Sequence, residues 1–212
     1  ARTGQVAVRP AGSIGGAITR MNTATRQVEN IRAYPDQPIG QRAADLKYRF
    51  QWNAPIRISP HDPDVVYHTS QHVHRTRDGG RTWEVISPDL TRNARSTQDY
   101  SGGKGVTRDS TTVEIYGTVF AFEESPHKAG VLWAGTDDGL VQISQDNGGR
   151  WQNVTPKDMP ERGTVNAIDL SAHDDGRALI AVHKYRENDV TPYIFQTNDF
   201  GRTWRRLADG TN

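Results

Sequence analysis

Short apolar runs alternate with polar turns along this chain, and the period is 2 rather than 3.6. "HVHRT" (residues 72–76) and "VQIS" (residues 141–144) alternate residue by residue, as strands do when successive side chains point to opposite faces. No segment keeps a helical pattern for more than two turns. The pattern also recurs, starting from Phe50, Ile115 and Thr164. Each copy has an apolar strand and then "SPH" or "SAH" (Ser59, Ser125 and Ser171 lead these turns). A second strand follows ("VVYHTS", "VLWAGT", "ALIAVHKY"), a third strand enters an aspartate turn, and a fourth leaves it.

The three aspartate turns are "TRDGGRTW" (76–83), "SQDNGGRW" (144–151) and "TNDFGRTW" (197–204). From the repeat serine to the turn aspartate the spacing is 19, 21 and 28 residues. The excess in the last copy is confined to "RENDVT" (186–191), as expected of a repeat with one variable face. Four short antiparallel strands in roughly 40–50 residues mark a propeller blade. The predicted fold is therefore all-β, a propeller segment of about three and a half four-stranded blades. Its predicted units are a partial blade at 1–45 and blades at 46–90, 113–156 and 163–208. In the partial unit "GQVAVRP" (4–10) is a strand, and "NTATRQ" is a degenerate turn within a hairpin. Propellers usually close with about four to eight blades, and a half-ring leaves open edges. The expectation is a fragment of a longer propeller, or association with a second copy or chain that supplies the remaining blades.

Each position of the turn has a local task. The aspartate (Asp78, Asp146, Asp199) accepts backbone N–H groups, and the leading hydroxyl (Thr76, Ser144, Thr197) does so from the other side. Glycine (Gly80, Gly148, Gly201) supplies a positive φ. Thr82 and Thr203 add hydroxyls where the middle copy has Arg150, and the tryptophan (Trp83, Trp151, Trp204) buries a ring against a neighbouring element. A calcium loop needs several oxygen ligands at alternate positions, and each turn offers one carboxylate. A structural staple is the expected role.

This motif resembles the Asp-box, or BNR repeat, of sialidases, sortilin-type receptors and two-propeller xyloglucanases. The whole repeat resembles large bacterial proteins described as sortilin-like or glycosyl-hydrolase-like. The likeness covers residues 50–208 well and 1–49 weakly. It implies that the turns lie on the face away from the ligand, and a secreted or periplasmic setting in a bacterium. The opposite face then carries the loops "TSQH" (69–72), "TDDG" (136–139) and "KYRENDVT" (184–191), with the linkers at 34–49, 87–112 and 155–163.

That orientation makes Arg49, Trp52, His72, Glu114, Tyr116, Arg186 and Glu187 candidate ligand-binding residues. A glycan suits them, since aromatics stack on its apolar faces; a peptide, as in sortilin-type proteins, is the alternative. Asp137 and Asp138 are the candidate catalytic carboxylates of a glycoside hydrolase. Such enzymes place two carboxyls about 5–9.5 Å apart across the bond, so adjacent residues supply at most one, and "DDG" also suits a hairpin turn. The xyloglucanases of the resemblance use two aspartates from separate propellers. Glu114 and Tyr116 invite a sialidase reading through the tyrosine nucleophile of those enzymes, but no arginine triad is recognisable.

Composition removes several classes. A net charge of +1 argues against phosphate neutralisation of a nucleic acid. No cysteine means no disulfide framework, and runs such as "TVFAF" and "ALIAV" are too short to span a bilayer. His68, His72 and His74 could suggest zinc, but no further ligand is evident. They are expected to be exposed, with neither metal nor cofactor. "SGGKG" (101–105) lacks phosphate-loop spacing.

Overall fold

The computed structural model describes residues 11–100 and 111–208. The predicted strand at 4–10 and the "SGGKG" stretch lie outside them. The described residues form four antiparallel sheets, each connected in sequence order. The first sheet has three strands, β1 (Ala11–Ser13), β2 (Ala17–Met21) and β3 (Val28–Asn30). The second holds β4 (Ile56–Ile58), β5 (Val66–Thr69), β6 (Val73–Thr76) and β7 (Glu84–Val85). The third holds β8 (Val119–Glu124), β9 (Leu132–Thr136), β10 (Val141–Ser144) and β11 (Gln152–Asn153). The fourth holds β12 (Thr164–Leu170), β13 (Ala178–Lys184), β14 (Asp189–Thr197) and β15 (Arg205–Ala208). This is a partial propeller of three four-stranded blades and one three-stranded unit. Helix is confined to short 3-10 turns among the described residues, and no helix there is long and apolar enough to cross a membrane.

Period-2 alternation explains how the blades stack. Along β9, Leu132 and Ala134 pack towards the second sheet, while Trp133 between them packs towards the fourth. One core therefore joins the second and third blades through Tyr67, Val73, Val119 and Phe122. The other joins the third and fourth through Trp133, Ile143, Val165, Ile180 and Phe195. Each such side chain contributes roughly 1.5–3 kcal/mol when fully buried.

The aspartate turns add a second link between blades. Within each turn the leading hydroxyl accepts the glycine N–H at 2.9 Å. The aspartate accepts the backbone N–H of Thr82, Arg150 or Thr203 at 2.7–2.9 Å. These donors hold Asp78 well below the usual carboxylate range, and Asp146 and Asp199 are lowered in the same way. The glycines sit at φ 88°, 92° and 79°, where a side chain is strained. A Cβ there would also strike Ile31, Ile86 or Val154 of the preceding sheet. Beside each glycine the tryptophan indole N–H donates to the carbonyl of that same residue. Trp83 reaches Ile31 at 2.9 Å, Trp151 reaches Ile86 at 2.9 Å and Trp204 reaches Val154 at 2.6 Å. The turn thus fastens its blade to the one before it. Val28 stands three residues before Ile31, the position that tryptophan holds before Ile86 and Val154, and it is exposed.

Two of the three histidines depart from the expectation of exposure. His68 and His74 are buried partners across β5 and β6, because the linker lays Tyr48 and Phe50 over that sheet. Phe50 stacks on His68 at 4.9 Å, and Tyr48 meets His74 edge-on at 4.7 Å. His68 Nδ1 lies 3.0 Å from the Pro55 carbonyl and His74 Nε2 lies 2.8 Å from Ser70 Oγ. Burial lowers His68 to about 4 and His74 to about 3. They are core residues. Among the described residues no three His, Asp or Glu side chains converge as metal ligands do.

Candidate functional site

The first-to-second strand turns lie on the same face as the aspartate turns. Asn147 N–H donates to Gly130 O at 2.9 Å, and Phe200 N–H to Gly176 O at 3.0 Å. The second-to-third strand loops and the linkers between blades therefore share the opposite face. Two seams on that face bring the candidate residues together.

The seam between the second and third blades is closed by its own chemistry. Arg49, buried, donates through Nε to Gly117 O at 2.8 Å, and through Nη2 to Asp89 at 2.8 Å and Thr91 Oγ1 at 3.1 Å. Arg92 completes the network, giving its backbone N–H to Asp138 Oδ2 and its Nε–H to Asp138 O, both at 2.8 Å. Thr136 Oγ1 donates to the other Asp138 oxygen at 2.6 Å. His72 stands at the edge, its Nδ1 3.1 Å from Ser87 O.

Asp137 and Asp138 are 1% and 3% exposed. Asp137 Oδ1 accepts Gly117 N–H at 3.0 Å and Thr118 N–H at 2.8 Å, and its Oδ2 accepts the Thr118 hydroxyl at 2.8 Å. Burial and then the charge of Asp138 push Asp137 up to about 7, against the pull of those donors. Burial also raises Asp138. In this geometry both carboxylates hold neighbouring loops in place.

The seam between the third and fourth blades is less complete. Tyr116 lies beneath Arg162, whose guanidinium is 5.6 Å from the ring centroid. Arg162 comes from the 155–163 linker at φ 59°. Its Nε lies 3.2 Å from Glu187 Oε1, and Lys184 Nζ lies 3.3 Å from Glu187 Oε2. Glu187 and Arg186 belong to a 3-10 turn (Tyr185–Glu187) closed by Asn188 at φ 59°. Tyr185 is 58% exposed and its ring is 4.6 Å from that of His183. Tyr116 Oη, Arg162 Nε and His183 Nδ1 are buried atoms with no hydrogen-bond partner. Burial pushes the Tyr116 hydroxyl up to about 12.

Two candidates stand apart from both seams. Trp52 is 53% exposed. Glu114 is turned back on its own loop, accepting Thr111 N–H at 2.7 Å. Sequence reasoning missed Arg92, Arg162, His183 and Lys184. A cleft of about 350 Å³ lies between the first strands of the three blades, lined by Arg57, Glu123, Asp169 and Pro126. Its Arg57 and Glu123 are paired at 2.7 Å, and it opens beside the first-to-second strand turns.

No protein-family model matches the chain, and no curated protein is significantly similar to it in sequence. Solved structures are similar in fold. One is the GH74 xyloglucanase from Xanthomonas campestris (TM-score 0.57, 18% identity, 94% of this chain and 28% of that one). Another is the Niastella koreensis GH74 enzyme (TM-score 0.57, 11% identity, 96% of this chain and 31% of that one). A third is an ancestral GH74 enzyme (TM-score 0.52, 14% identity, 82% of this chain and 20% of that one). The chain spans less than a third of each of them. The likeness establishes the fold, that of a propeller segment.

Proposed function

We propose that this chain is part of an Asp-box propeller that binds a glycan on the loop face opposite the aspartate turns and does not cleave it unaided. The observation that carries the reading is the meeting of exposed rings and unpartnered polar atoms on the loop face. On the turn face the aspartates and hydroxyls are taken up within the turns. The loop face offers exposed aromatic rings at Trp52 and Tyr185, and unpartnered polar atoms at Tyr116, Arg162 and His183. Aromatic faces beside polar groups suit a sugar, which has apolar C–H faces and a rim of hydroxyls.

Asp137 and Asp138 serve in this reading as loop clamps. A general acid needs hydrogen-bond reach to the scissile oxygen, and their oxygens are already engaged. Further blades, from a longer chain or a second copy, complete the ring, in a secreted or periplasmic setting. A glycan array probed with the chain, paired with hydrolysis assays on xyloglucan and sialosides, tests the proposal. Binding without hydrolysis is expected, and Asp78→Ala should melt several degrees earlier yet bind equally well. Hydrolysis abolished by Asp137→Ala or Asp138→Ala overturns it, as does capture of peptides but no glycan.

A further inference from the structure

The seam between the third and fourth blades already holds one carboxylate, that of Glu187, between two cations. Arg162 Nε is 3.2 Å from one oxygen and Lys184 Nζ is 3.3 Å from the other. The pair is poorly made. Arg162 Nε is near Glu187 but makes no hydrogen bond to it, and Tyr116 Oη beneath makes no well-formed hydrogen bond, its polar neighbour being the Arg162 side chain. Glu187 is exposed, at the end of a short turn inside the insertion that distinguishes this blade. Glu187 is the exposed member of the pair and its hydrogen bond to Arg162 is unmade, so it is readily displaced.

The other acids nearby are committed. Asp137 and Asp138 are saturated by their own donors. Asp189 accepts Tyr193 Oη at 2.8 Å and Thr191 N–H at 3.0 Å. Among the described residues Glu187 is the carboxylate that reaches both Arg162 and Lys184; Asp189 also acts on Lys184, but its oxygens are engaged by Tyr193 and Thr191. Arg186 adds a further exposed cation beside it, and Tyr185 presents a ring at the rim.

We infer that this seam recognises the carboxylate of an acidic glycan, a uronic-acid-bearing chain, which displaces Glu187 and takes its place between Arg162 and Lys184. The inference rests on the glycan-binding reading and specifies its ligand. The incoming carboxylate engages Arg162 Nε and the Tyr116 hydroxyl, groups that Glu187 leaves unbonded. The guanidinium fork suits a carboxylate held through two oxygens. Tyr185 stacks on the sugar ring that carries it. Glu187 acts as an internal competitor that sets the affinity.

Calorimetric titration tests this with two probes of equal length, an oligogalacturonate and a neutral xyloglucan oligosaccharide. The parent chain should prefer the oligogalacturonate. Glu187→Gln should bind it about 3–10-fold tighter, which corresponds to losing one weak competing ion pair. Tyr116→Phe keeps the ring under Arg162 and should bind it about 5-fold more weakly, the loss of one hydrogen bond. The ratio of the two probes' affinities reads the effect: preference for the oligogalacturonate should rise in Glu187→Gln and fall in Tyr116→Phe. Glu187→Ala is the second test of the competitor and should also tighten binding. Equal affinity of the parent for both probes, or unchanged or weaker uronate binding in both Glu187 variants, overturns the inference and leaves the glycan reading standing. Failure of every form to bind either probe, with acidic peptides bound instead, overturns both.

Discussion

Two seams on one face, built from the same repeat, have opposite characters. Between the second and third blades, Arg49, Asp89, Thr91, Arg92 and Asp138 complete one another's hydrogen bonds. Between the third and fourth, Tyr116, Arg162 and His183 keep buried atoms without partners. Unmade buried hydrogen bonds cost stability, and on the proposed reading a ligand makes those of this seam. The closed seam shows what the fold does when a junction has only to hold.

The largest expected effect breaks the closed seam. Arg49→Ala removes the cation from Asp89, which keeps only its Thr91 donors, and leaves buried Gly117 O unpaired; it should cost about 2–4 kcal/mol. Arg162→Ala at the open seam, where its Glu187 partner is exposed and the hydrogen bond between them is unmade, should cost less, about 1 kcal/mol. Urea unfolding of the two variants measures the difference, and equal losses would erase the distinction between the seams.

Asp137, which lies where the two seams meet, sharpens the comparison through pH. Its folded value is raised to about 7 from an ordinary 3.8. Its favourable contribution is therefore fully present below about 3.8 and is lost as pH rises through about 7. His68 and His74 work the other way. Their lowered values, about 4 and 3, remove stability as pH falls below 6.5. The histidine contribution is common to the parent and an Asp137 variant, so the difference between the two proteins reports Asp137. Asp137→Asn keeps an oxygen for the Gly117 and Thr118 N–H groups, and its amide can donate to the Thr118 hydroxyl. The variant should match the parent at pH 6.5 within about 1 kcal/mol and be more stable at pH 8. Thermal melts at the two pH values check this; a parallel decline in both proteins would contradict it.

The strand–turn–strand repeat was legible because its chemistry is local: hydroxyl, aspartate and glycine bond within eight residues. The tryptophan's destination was not, because its acceptor belongs to the preceding blade, 52, 65 and 50 residues away. The spacing could have revealed it, since Ile31, Ile86 and Val154 recur at one register. "TDDG" showed two carboxylates on a turn. Their partners, Gly117, Thr118 and Arg92, come from other loops. His68 and His74 looked like strand-edge residues because Tyr48 comes from the 34–49 linker and Phe50 lies ahead of the strand at Ile56–Ile58, so neither carries a sign that it covers them. Arg162 was missed for a similar reason. A lone arginine in a Pro- and Gly-bounded loop carries no motif, and its reach to Tyr116 depends on a positive φ.

On the proposed reading the loop face, and not the aspartate-turn face, receives the ligand. Hydroxyl-radical footprinting with and without an oligosaccharide measures it most directly. The account predicts protection of Tyr185 and Trp52, with Trp83, Trp151 and Trp204 unchanged. Protection of the three turn tryptophans, with Tyr185 and Trp52 unaffected, would contradict it.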